Sequence, residues 1–390
     1  MATTRSLKSE RLQKLPPYLF AEIDRKKKAA IAAGRDVINL GVGDPDRPTP
    51  QPIVRSLQHH VENPAFHQYA LDQGAPELRQ SIAAFCKSRY DLELDPETEI
   101  LPLIGSKEGL AHFPLAVLNP GEISLVPDPC YPVYRSSSMF AGADVYTMPL
   151  ERELAFRPDL DAIPNDVYAL ARLMFLNYPN NPTGGTAELP FYEKVVSLAV
   201  NHHFVVAQDA AYNEIYFEQP APSILQIPEA REVAIEFHSL SKTFNMTGWR
   251  VGFAIGGAPL IAALAQVKAN VDSGIFTAIQ FAAKTALDHY QELTPPIRAL
   301  YRERRDAFVG ALRQLGWDVP TPQATFYVWI PCPPGLTSTE LCGRLLEEAD
   351  VVTTPGLGFG RSADGYIRAA LTVETNRLLE AAERIGRLRL

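Results

Sequence analysis

Short apolar runs of strand length alternate with segments of helical apolar spacing between about residue 100 and residue 260. A short, continuous apolar run is typical of a buried strand, whereas apolar residues three or four positions apart predict a helix with one buried face. The predicted strands cover residues 101–104, 123–126, 173–176, 204–208, 233–238 and 251–255. The predicted helices in and before this region cover residues 19–33, 76–90, 110–118 and 191–202. Because strands and helices alternate, we expect an α/β fold with a doubly wound, mostly parallel sheet.

The pattern changes at about residue 290. A long charged helix is followed there by strand-like runs at residues 325–330, 351–353 and 366–371. This order predicts a smaller α+β domain, and the prolines of Thr294-Pro295-Pro296 predict the connection to it. We therefore expect an N-terminal arm with a segment that packs on the small domain (residues 1–48), a large domain (49–290) and a small C-terminal domain (291–390).

Composition and charge narrow the class of protein. The 390 residues are 46% hydrophobic and 21% charged, which is typical of a globular chain large enough for two lobes. The net charge of −8 argues against nucleic acid or an anionic membrane as partner, and we find neither a membrane-spanning apolar stretch nor a signal peptide. The four cysteines show no C-x-x-C spacing, so we expect reduced thiols in a cytoplasmic protein, without disulfides or a metal site.

The most informative stretch, residues 239–252, separates two predicted strands and contains Lys242. Open α/β sheets bind ligands where their strands end. Two hydroxyls, those of Ser239 and Ser241, and the guanidinium of Arg250 lie close to the lysine in sequence. Such a group suits a phosphate that is bound beside an amine. A solvated lysine in a Ser/Thr-rich loop would have the same local pattern.

Other candidate residues also follow predicted strands. Ser106 could cap a helix whose free N–H groups would bind a phosphate, although any helix can begin in this way. Tyr131 lies between two prolines and is either a core residue or a stacking platform. The glycines of residues 41–46 allow a ligand to approach the backbone closely, and a plain turn explains them equally well.

The segment S-x-S-K, followed by the arginine of G-W-R-V-G, resembles the Schiff-base segment of fold-type I pyridoxal-phosphate (PLP) aminotransferases. The resemblance extends over nearly the whole chain. It implies that Lys242 forms the Schiff base with PLP and then moves a proton at the substrate Cα, and that Asp209 pairs with the pyridine nitrogen. By the same resemblance, Tyr212 and Asn181 bind the ring phenolate and Tyr131 stacks on the ring.

The resemblance also assigns the phosphate, the substrate and the oligomer. The phosphate ligands would be Ser106, the backbone of Lys107, Ser239, Ser241 and Arg250. Tyr69 would reach the phosphate of a neighbouring subunit, which implies a homodimer with shared active sites. Arg368 would bind the α-carboxylate of the substrate beside the N–H of Gly43. Amino acids and 2-oxo acids are therefore the expected substrates.

Within the aminotransferases, four stretches are most similar to the LL-diaminopimelate aminotransferases: residues 16–20, 41–46, 104–109 and 237–252. This similarity implies LL-2,6-diaminopimelate and the 2-oxoglutarate/glutamate pair as substrates, in lysine and cell-wall precursor synthesis. Lys107 would bind the distal carboxylate, Asp72 the distal ammonium, and Tyr18 would close over the site. Two positions depart from the pattern: Cys130 stands where a glycine is expected, and Ser273 where plant-type enzymes have asparagine.

Three other functions fit parts of the same pattern. An aspartate or broad-specificity aminotransferase would share every cofactor residue. A PLP-dependent carbon–sulfur β-lyase would use the same scaffold and release pyruvate and ammonia without an amino acceptor. A PLP-sensing transcriptional regulator is disfavoured, because the acidic sequence shows no basic helix-turn-helix extension.

Overall fold

The computed structural model of the protein describes residues 7–15, 19–70 and 73–388, so Tyr18 and Asp72 lie outside the described residues. The α-helices are α1 (Glu10–Gln13), α2 (Leu19–Ala32), α3 (Gln51–Val61), α4 (Pro76–Tyr90), α5 (Ser106–Val117), α6 (Val133–Ala141), α7 (Asn165–Leu170), α8 (Leu189–His202), α9 (Ala230–Val233), α10 (Leu240–Thr243), α11 (Ala258–Val271), α12 (Thr277–Asp288), α13 (Tyr290–Gln314), α14 (Ser338–Ala349) and α15 (Thr375–Gly386). The strands are β1 (Ile38–Asn39), β2 (Ile100–Leu103), β3 (Ile123–Asp128), β4 (Asp144–Pro149), β5 (Ala171–Asn177), β6 (Val205–Asp209), β7 (Ala234–Ser239), β8 (Gly252–Gly256), β9 (Tyr327–Pro331), β10 (Val351–Val352), β11 (Thr354–Pro355) and β12 (Tyr366–Ala370).

A seven-stranded sheet forms the centre of the larger part of the molecule. Its strand order is β2-β8-β7-β6-β5-β3-β4. The strands from β4 to β7 run parallel, whereas β8 is antiparallel to both of its neighbours. The prediction of an α/β fold with a mostly parallel sheet is confirmed. The edge strand β4 was not predicted, because most of its side chains are exposed or half-buried and give no apolar run.

The central strands are apolar because helices cover both faces of this sheet. Along β5, Met174 and Leu176 belong to one core cluster, whereas Leu173 and Phe175 belong to another. Successive side chains of a strand point to opposite faces. A strand that is buried on both faces is therefore apolar at every position, which explains why periodicity located β5 so readily.

A smaller sheet lies towards the C-terminus, with strand order β11-β12-β9. Helices α13, α14 and α15 contribute to a separate core cluster that includes Phe308, Leu345 and Leu378. The short strand β1 pairs in parallel with β10, so that residues 38–39 join this C-terminal part. The domain boundaries at residues 48 and 290 stay a prediction.

The predicted connection at Thr294-Pro295-Pro296 lies inside α13, a helix of 25 residues, and not in a loop. Tyr290 and Leu293 at the start of this helix pack against the core cluster of the large sheet, whereas Ile297 and Tyr301 belong to the C-terminal cluster. Ile297, Tyr301 and Phe308 on α13 are buried. Packing of this apolar face offsets the hydrogen bonds that the prolines cannot make. Among the described residues, no helix combines the length and the apolar character that a bilayer crossing requires.

Candidate active site

The carboxyl ends of three neighbouring parallel strands bring the candidate residues together. Asn177, the last residue of β5, is opposite Asp209, the last residue of β6. Asp209 is in turn opposite Phe237 of β7, which ends at Ser239. The chain then forms α10, which carries Lys242 between β7 and β8 as predicted. The amine and the carboxylate therefore lie at the same edge of the sheet.

Lys242 has the environment of a reactive amine. Its Nζ donates a hydrogen bond to the carbonyl oxygen of Gly43 at 2.8 Å and lies 5.7 Å from the ring centroid of Phe326. Burial lowers the pKa of Lys242, because desolvation disfavours the charged ammonium. A lysine with a lowered pKa can act as a nucleophile and as a base.

Asp209 is a buried carboxylate that is prepared for a cation. Its Oδ2 accepts a hydrogen bond from the hydroxyl of Tyr134 at 2.6 Å, and its Oδ1 accepts one from the N–H of Ala211 at 3.1 Å. Burial raises the pKa of Asp209 to about 6, although both hydrogen bonds act in the opposite direction. A positive charge beside this carboxylate would favour its ionised form, as the nitrogen of a protonated pyridine does.

Sequence reasoning missed Tyr134. The fully buried ring stacks on Phe175, with centroids 4.8 Å apart, and meets Tyr131 edge to face at 5.9 Å. The spacing Y-P-x-Y could have revealed Tyr134, because residues three positions apart lie on one face of a helical turn and Tyr131 was already a candidate. Tyr134 thus connects the carboxylate of Asp209 to the tyrosine that is predicted to stack on the cofactor.

A second group of residues surrounds Arg368. Its Nη1 donates to Oδ1 of Asn181 at 2.8 Å and its Nη2 to the carbonyl oxygen of Gly41 at 2.9 Å. Its guanidinium lies 4.1 Å from the ring centroid of Tyr327. The Nε of Arg368 is buried and has no hydrogen-bond partner among the described residues. A buried donor without a partner suits the binding of a carboxylate.

Tyr327 is a further residue that the sequence did not reveal. Its hydroxyl lies 3.0 Å from that of Tyr212, which sequence reasoning assigned to the cofactor phenolate. A Cβ atom added at Gly43 would collide with this tyrosine, so that position requires glycine. Gly43, Tyr212 and Arg368 therefore meet around one aromatic ring.

Three of the predicted phosphate ligands, Ser106, Ser239 and Arg250, lie close together where α5 begins and form a candidate phosphate cradle. Gly105, with φ +77°, and not Ser106, is the N-cap of α5; the prediction of a serine cap was wrong, because Ser106 is already the first helical residue. A Cβ atom at Gly105 would lie 2.6 Å from Nη2 of Arg250, and one at Gly252 would lie 2.8 Å from the N atom of Ser106. Ser239 pairs with Gly252 in the sheet. A helix N-terminus, a guanidinium and serine hydroxyls suit a phosphate.

The remaining candidates differ in their exposure in the single chain. Tyr69 is 94% exposed, and Lys107 is exposed at the start of α5. Tyr131 is half-buried beside Tyr134. Cys130 is buried, its N–H donates to the carbonyl of Phe359, and burial raises the pKa of its thiol to about 12. This cysteine is therefore an unreactive packing residue.

The profile of the family described as aminotransferase class I and II matches residues 35–385. The chain belongs to this family. It is 54% identical over 383 residues to an LL-diaminopimelate aminotransferase of Aquifex aeolicus and equally to one of Syntrophobacter fumaroxidans, covering 98% of this chain and 99% of each relative. The substrate-bound BacF structure from Bacillus subtilis is 39% identical, with a TM-score of 0.94 and coverage of 98% of both chains.

Membership of the family identifies the protein as a PLP-dependent aminotransferase. The residues present fit the cofactor: a desolvated amine, a buried carboxylate and a cradle for a phosphate lie at one sheet edge. The β-lyase and the transcriptional regulator are not favoured by these relatives.

Tyr134→Phe tests the role of the hydroxyl that contacts Asp209. Because this hydrogen bond lowers the pKa of Asp209, its loss should raise that pKa above about 6, and the carboxylate should be protonated at a higher pH. We expect PLP affinity near pH 8 to change little and affinity near pH 6 to fall on the order of fivefold, measured by titration of the apoenzyme. Tyr168→Phe removes another buried hydroxyl, which donates to Leu160, and serves as control. Parallel pH profiles for wild type and Tyr134→Phe would contradict the assignment.

Proposed function

We propose that the protein is an LL-diaminopimelate aminotransferase that exchanges amino groups between LL-2,6-diaminopimelate and the 2-oxoglutarate/glutamate pair. The observation that carries this proposal is the 54% identity, over 98% of the chain, to relatives that bear this name. The activity would supply a precursor of lysine and of the cell wall.

Lys242 performs the proton transfer. When it is bound, PLP withdraws electrons from the substrate Cα and so makes its proton acidic. The amine of Lys242 takes up this proton from Cα and would deliver it to C4′ of the cofactor, because burial keeps a fraction of the amine uncharged. The carbonyl of Gly43, which accepts a hydrogen bond from Nζ, supports its orientation.

Asp209 holds the cofactor ring in its electron-withdrawing form. Its carboxylate would pair with the pyridine nitrogen and favour the protonated state of that nitrogen. Tyr134 and the N–H of Ala211 fix the carboxylate by hydrogen bonds at 2.6 and 3.1 Å. Asn181 and Tyr212 are assigned to the phenolate oxygen, and Tyr131 to the ring face. The 3.0 Å contact between the hydroxyls of Tyr212 and Tyr327 supports the orientation of Tyr212.

The substrate α-carboxylate and the cofactor phosphate are both anionic, and an arginine is assigned to each. Arg368 binds the α-carboxylate, with the N–H of Gly43 beside it, and the unpartnered Nε of Arg368 supports this role. The phosphate is assigned to Arg250, the start of α5 and three serines. These serines are Ser106, Ser239 and Ser241.

The distal end of LL-diaminopimelate carries a second carboxylate and a second ammonium. We assign the carboxylate to Lys107, which follows the phosphate cradle, and the ammonium to Asp72, with Tyr18 closing over the substrate. Either distal charge would cost on the order of 1–3 kcal/mol or more if it were buried without a partner. Glutamate has no distal ammonium, so that Asp72 distinguishes the two substrates.

We infer a cytoplasmic homodimer in which Tyr69 reaches the phosphate of the partner's cofactor. The 94% exposure of Tyr69 in the single chain supports this role, because a tyrosine ring of this exposure gains apolar contact in an interface. The free cysteines of the described residues are consistent with a reducing compartment.

Lys242→Ala should abolish turnover while PLP still binds. Removal of a general base typically costs about 10²–10⁴-fold in rate, and the lost covalent attachment adds to this. Binding persists because the phosphate and the ring are held by other residues. The measurement combines steady-state kinetics with the PLP absorbance that remains after gel filtration. Lys87→Ala, at an exposed lysine paired with Asp91, is the control, and near-normal turnover by Lys242→Ala would end the assignment.

Mixed dimers test the shared site. A Lys242→Ala chain and a Tyr69→Ala chain, each inactive alone, should form a heterodimer with one intact site, which restores roughly one quarter of the wild-type activity after statistical pairing. Co-expression and a rate assay measure this recovery. A Lys242→Ala chain paired with an Arg368→Ala chain should recover nothing, because Arg368 contacts Asn181 and Gly41 of its own chain. A fully active monomer would refute the dimer.

Substrate choice is tested with a panel of amino acids in the PLP half-reaction. Asp72→Ala should raise KM for LL-diaminopimelate by about tenfold or more and leave glutamate nearly unchanged. Lys107→Ala should raise KM for both substrates, because both carry a distal carboxylate. Asp91→Ala is the control, because Asp91 is an exposed aspartate at the C-terminal end of α4.

Three outcomes would contradict the substrate assignment. Equal losses for both substrates in Asp72→Ala would remove this residue from the distal site. A wild type that ignores LL-diaminopimelate and turns over aspartate briskly would be an aspartate aminotransferase. Release of pyruvate and ammonia without an amino acceptor would identify a β-lyase.

A further inference from the structure

A fully buried lysine lies behind the start of α5 and has no part in the site described so far. Lys268 of α11 is 1% exposed. Its Nζ donates to Oδ1 of Asp272 at 2.5 Å, to both carboxylate oxygens of Glu108 at 3.3 Å and to the carbonyl of Ser273 at 3.0 Å. The ring of His112 completes the cluster, with Nδ1 3.4 Å from Glu108. Burial of an ammonium group is unfavourable without such partners.

Glu108 connects this cluster to the phosphate cradle. It lies in the first turn of α5, two residues after Ser106. Its Oε2 accepts the N–H of Ile104 at 2.6 Å and so fixes the connection from β2 into Gly105. The same carboxylate is a negative charge beside the place where a phosphate would bind. Like charges repel each other more strongly in a poorly solvated site than in water.

The charges of the cluster favour the ionised form of Glu108. Burial alone raises the pKa of Glu108, but His112 and Lys268 outweigh burial and lower it. Burial raises the pKa of Asp272, and Glu108 adds to this effect. Lys268 therefore balances two neighbouring carboxylates, that of Asp272 at 2.5 Å and that of Glu108 at 3.3 Å.

We propose that Lys268 is a positioning residue for the cofactor phosphate. Its ammonium cancels the charge of Glu108, so that Glu108 holds Ile104 and Gly105 in place without repelling the phosphate. This inference rests on the proposed phosphate site at α5. If Lys268 were purely structural and only joined α11 to α5, its loss would lower the melting temperature of the apoenzyme but not its affinity for PLP.

The test compares Lys268→Met, Glu108→Gln and the double variant. PLP affinity is measured by titration of full-length apoenzyme, and the melting temperature of the apoenzyme is recorded separately. We expect Lys268→Met to bind PLP about tenfold more weakly or worse, because Glu108 then repels the phosphate. Glu108→Gln should bind at least as tightly as wild type, since the glutamine oxygen can still accept the N–H of Ile104. The double variant should return to within about threefold of Glu108→Gln.

Lys284→Met is the matched control. Lys284 forms an i,i+4 pair with Asp288 at 2.5 Å, like that of Lys268 with Asp272, but it is 35% exposed and lies on α12. The Lys284→Met variant should bind PLP with the same affinity as the wild type. A loss of PLP affinity in this control as large as that in Lys268→Met would show that any lost helix pair weakens binding, and would overturn the proposal.

Four further results would decide the question. Unchanged PLP affinity in Lys268→Met, or a double variant as weak as Lys268→Met, would overturn the inference. If Lys268→Met does not fold, the double variant is compared with Glu108→Gln: equal affinity supports the role and weaker affinity overturns it. Wild-type protein that takes up no PLP would overturn the cofactor site together with this inference.

Discussion

The register of the parallel strands β5, β6 and β7 is the constraint on which the site depends. It places Asn177 opposite Asp209 and Asp209 opposite Phe237, so that the three strands end at the same edge of the sheet. Asn177 strengthens this arrangement, because its Nδ2 donates to the carbonyl of Asp209 at 2.8 Å. A shift by one residue would turn Asp209 to the opposite face and separate it from Tyr134. Helix α10 begins at this edge and therefore needs no further element to place Lys242.

Desolvation gives the site its reactivity. Asp209 and Arg368 are buried and Lys242 is half-buried, so that their charges are costly unless they have partners. Each has hydrogen bonds to neighbouring groups, but the raised pKa of Asp209 and the lowered pKa of Lys242 show that this compensation is incomplete. Under the proposed function, the cofactor and the substrate would supply the missing opposite charges. The same desolvation would thus favour binding of the cofactor and shift the pKa values that catalysis requires.

The segment around Gly43 connects the smaller sheet with the reactive lysine through backbone groups. The carbonyl of Gly41 accepts from Thr354 and Arg368, the carbonyl of Val42 accepts from Thr372, and the carbonyl of Gly43 accepts from Lys242. At its end, both carboxylate oxygens of Asp46 accept from the buried Arg304, at 2.6 and 2.7 Å. Side-chain identity matters little where carbonyls carry the contacts. The close approach to Tyr327 is what demands glycine at position 43.

The amino-acid sequence determined the mostly parallel sheet, the helices that end near Tyr90 and His202, and the position of Lys242 between two strands, because these depend on local periodicity. The resemblance of the segment around Lys242 to that of the PLP aminotransferases also indicated the cofactor class. Tertiary structure decided what lies far apart in sequence. Tyr134 reaches Asp209 across 75 positions, and Lys268 reaches Glu108 across 160. The helix through Pro295 and the edge strand β4 likewise followed from packing and exposure, which no local pattern encodes, because burial is a property of the assembled fold.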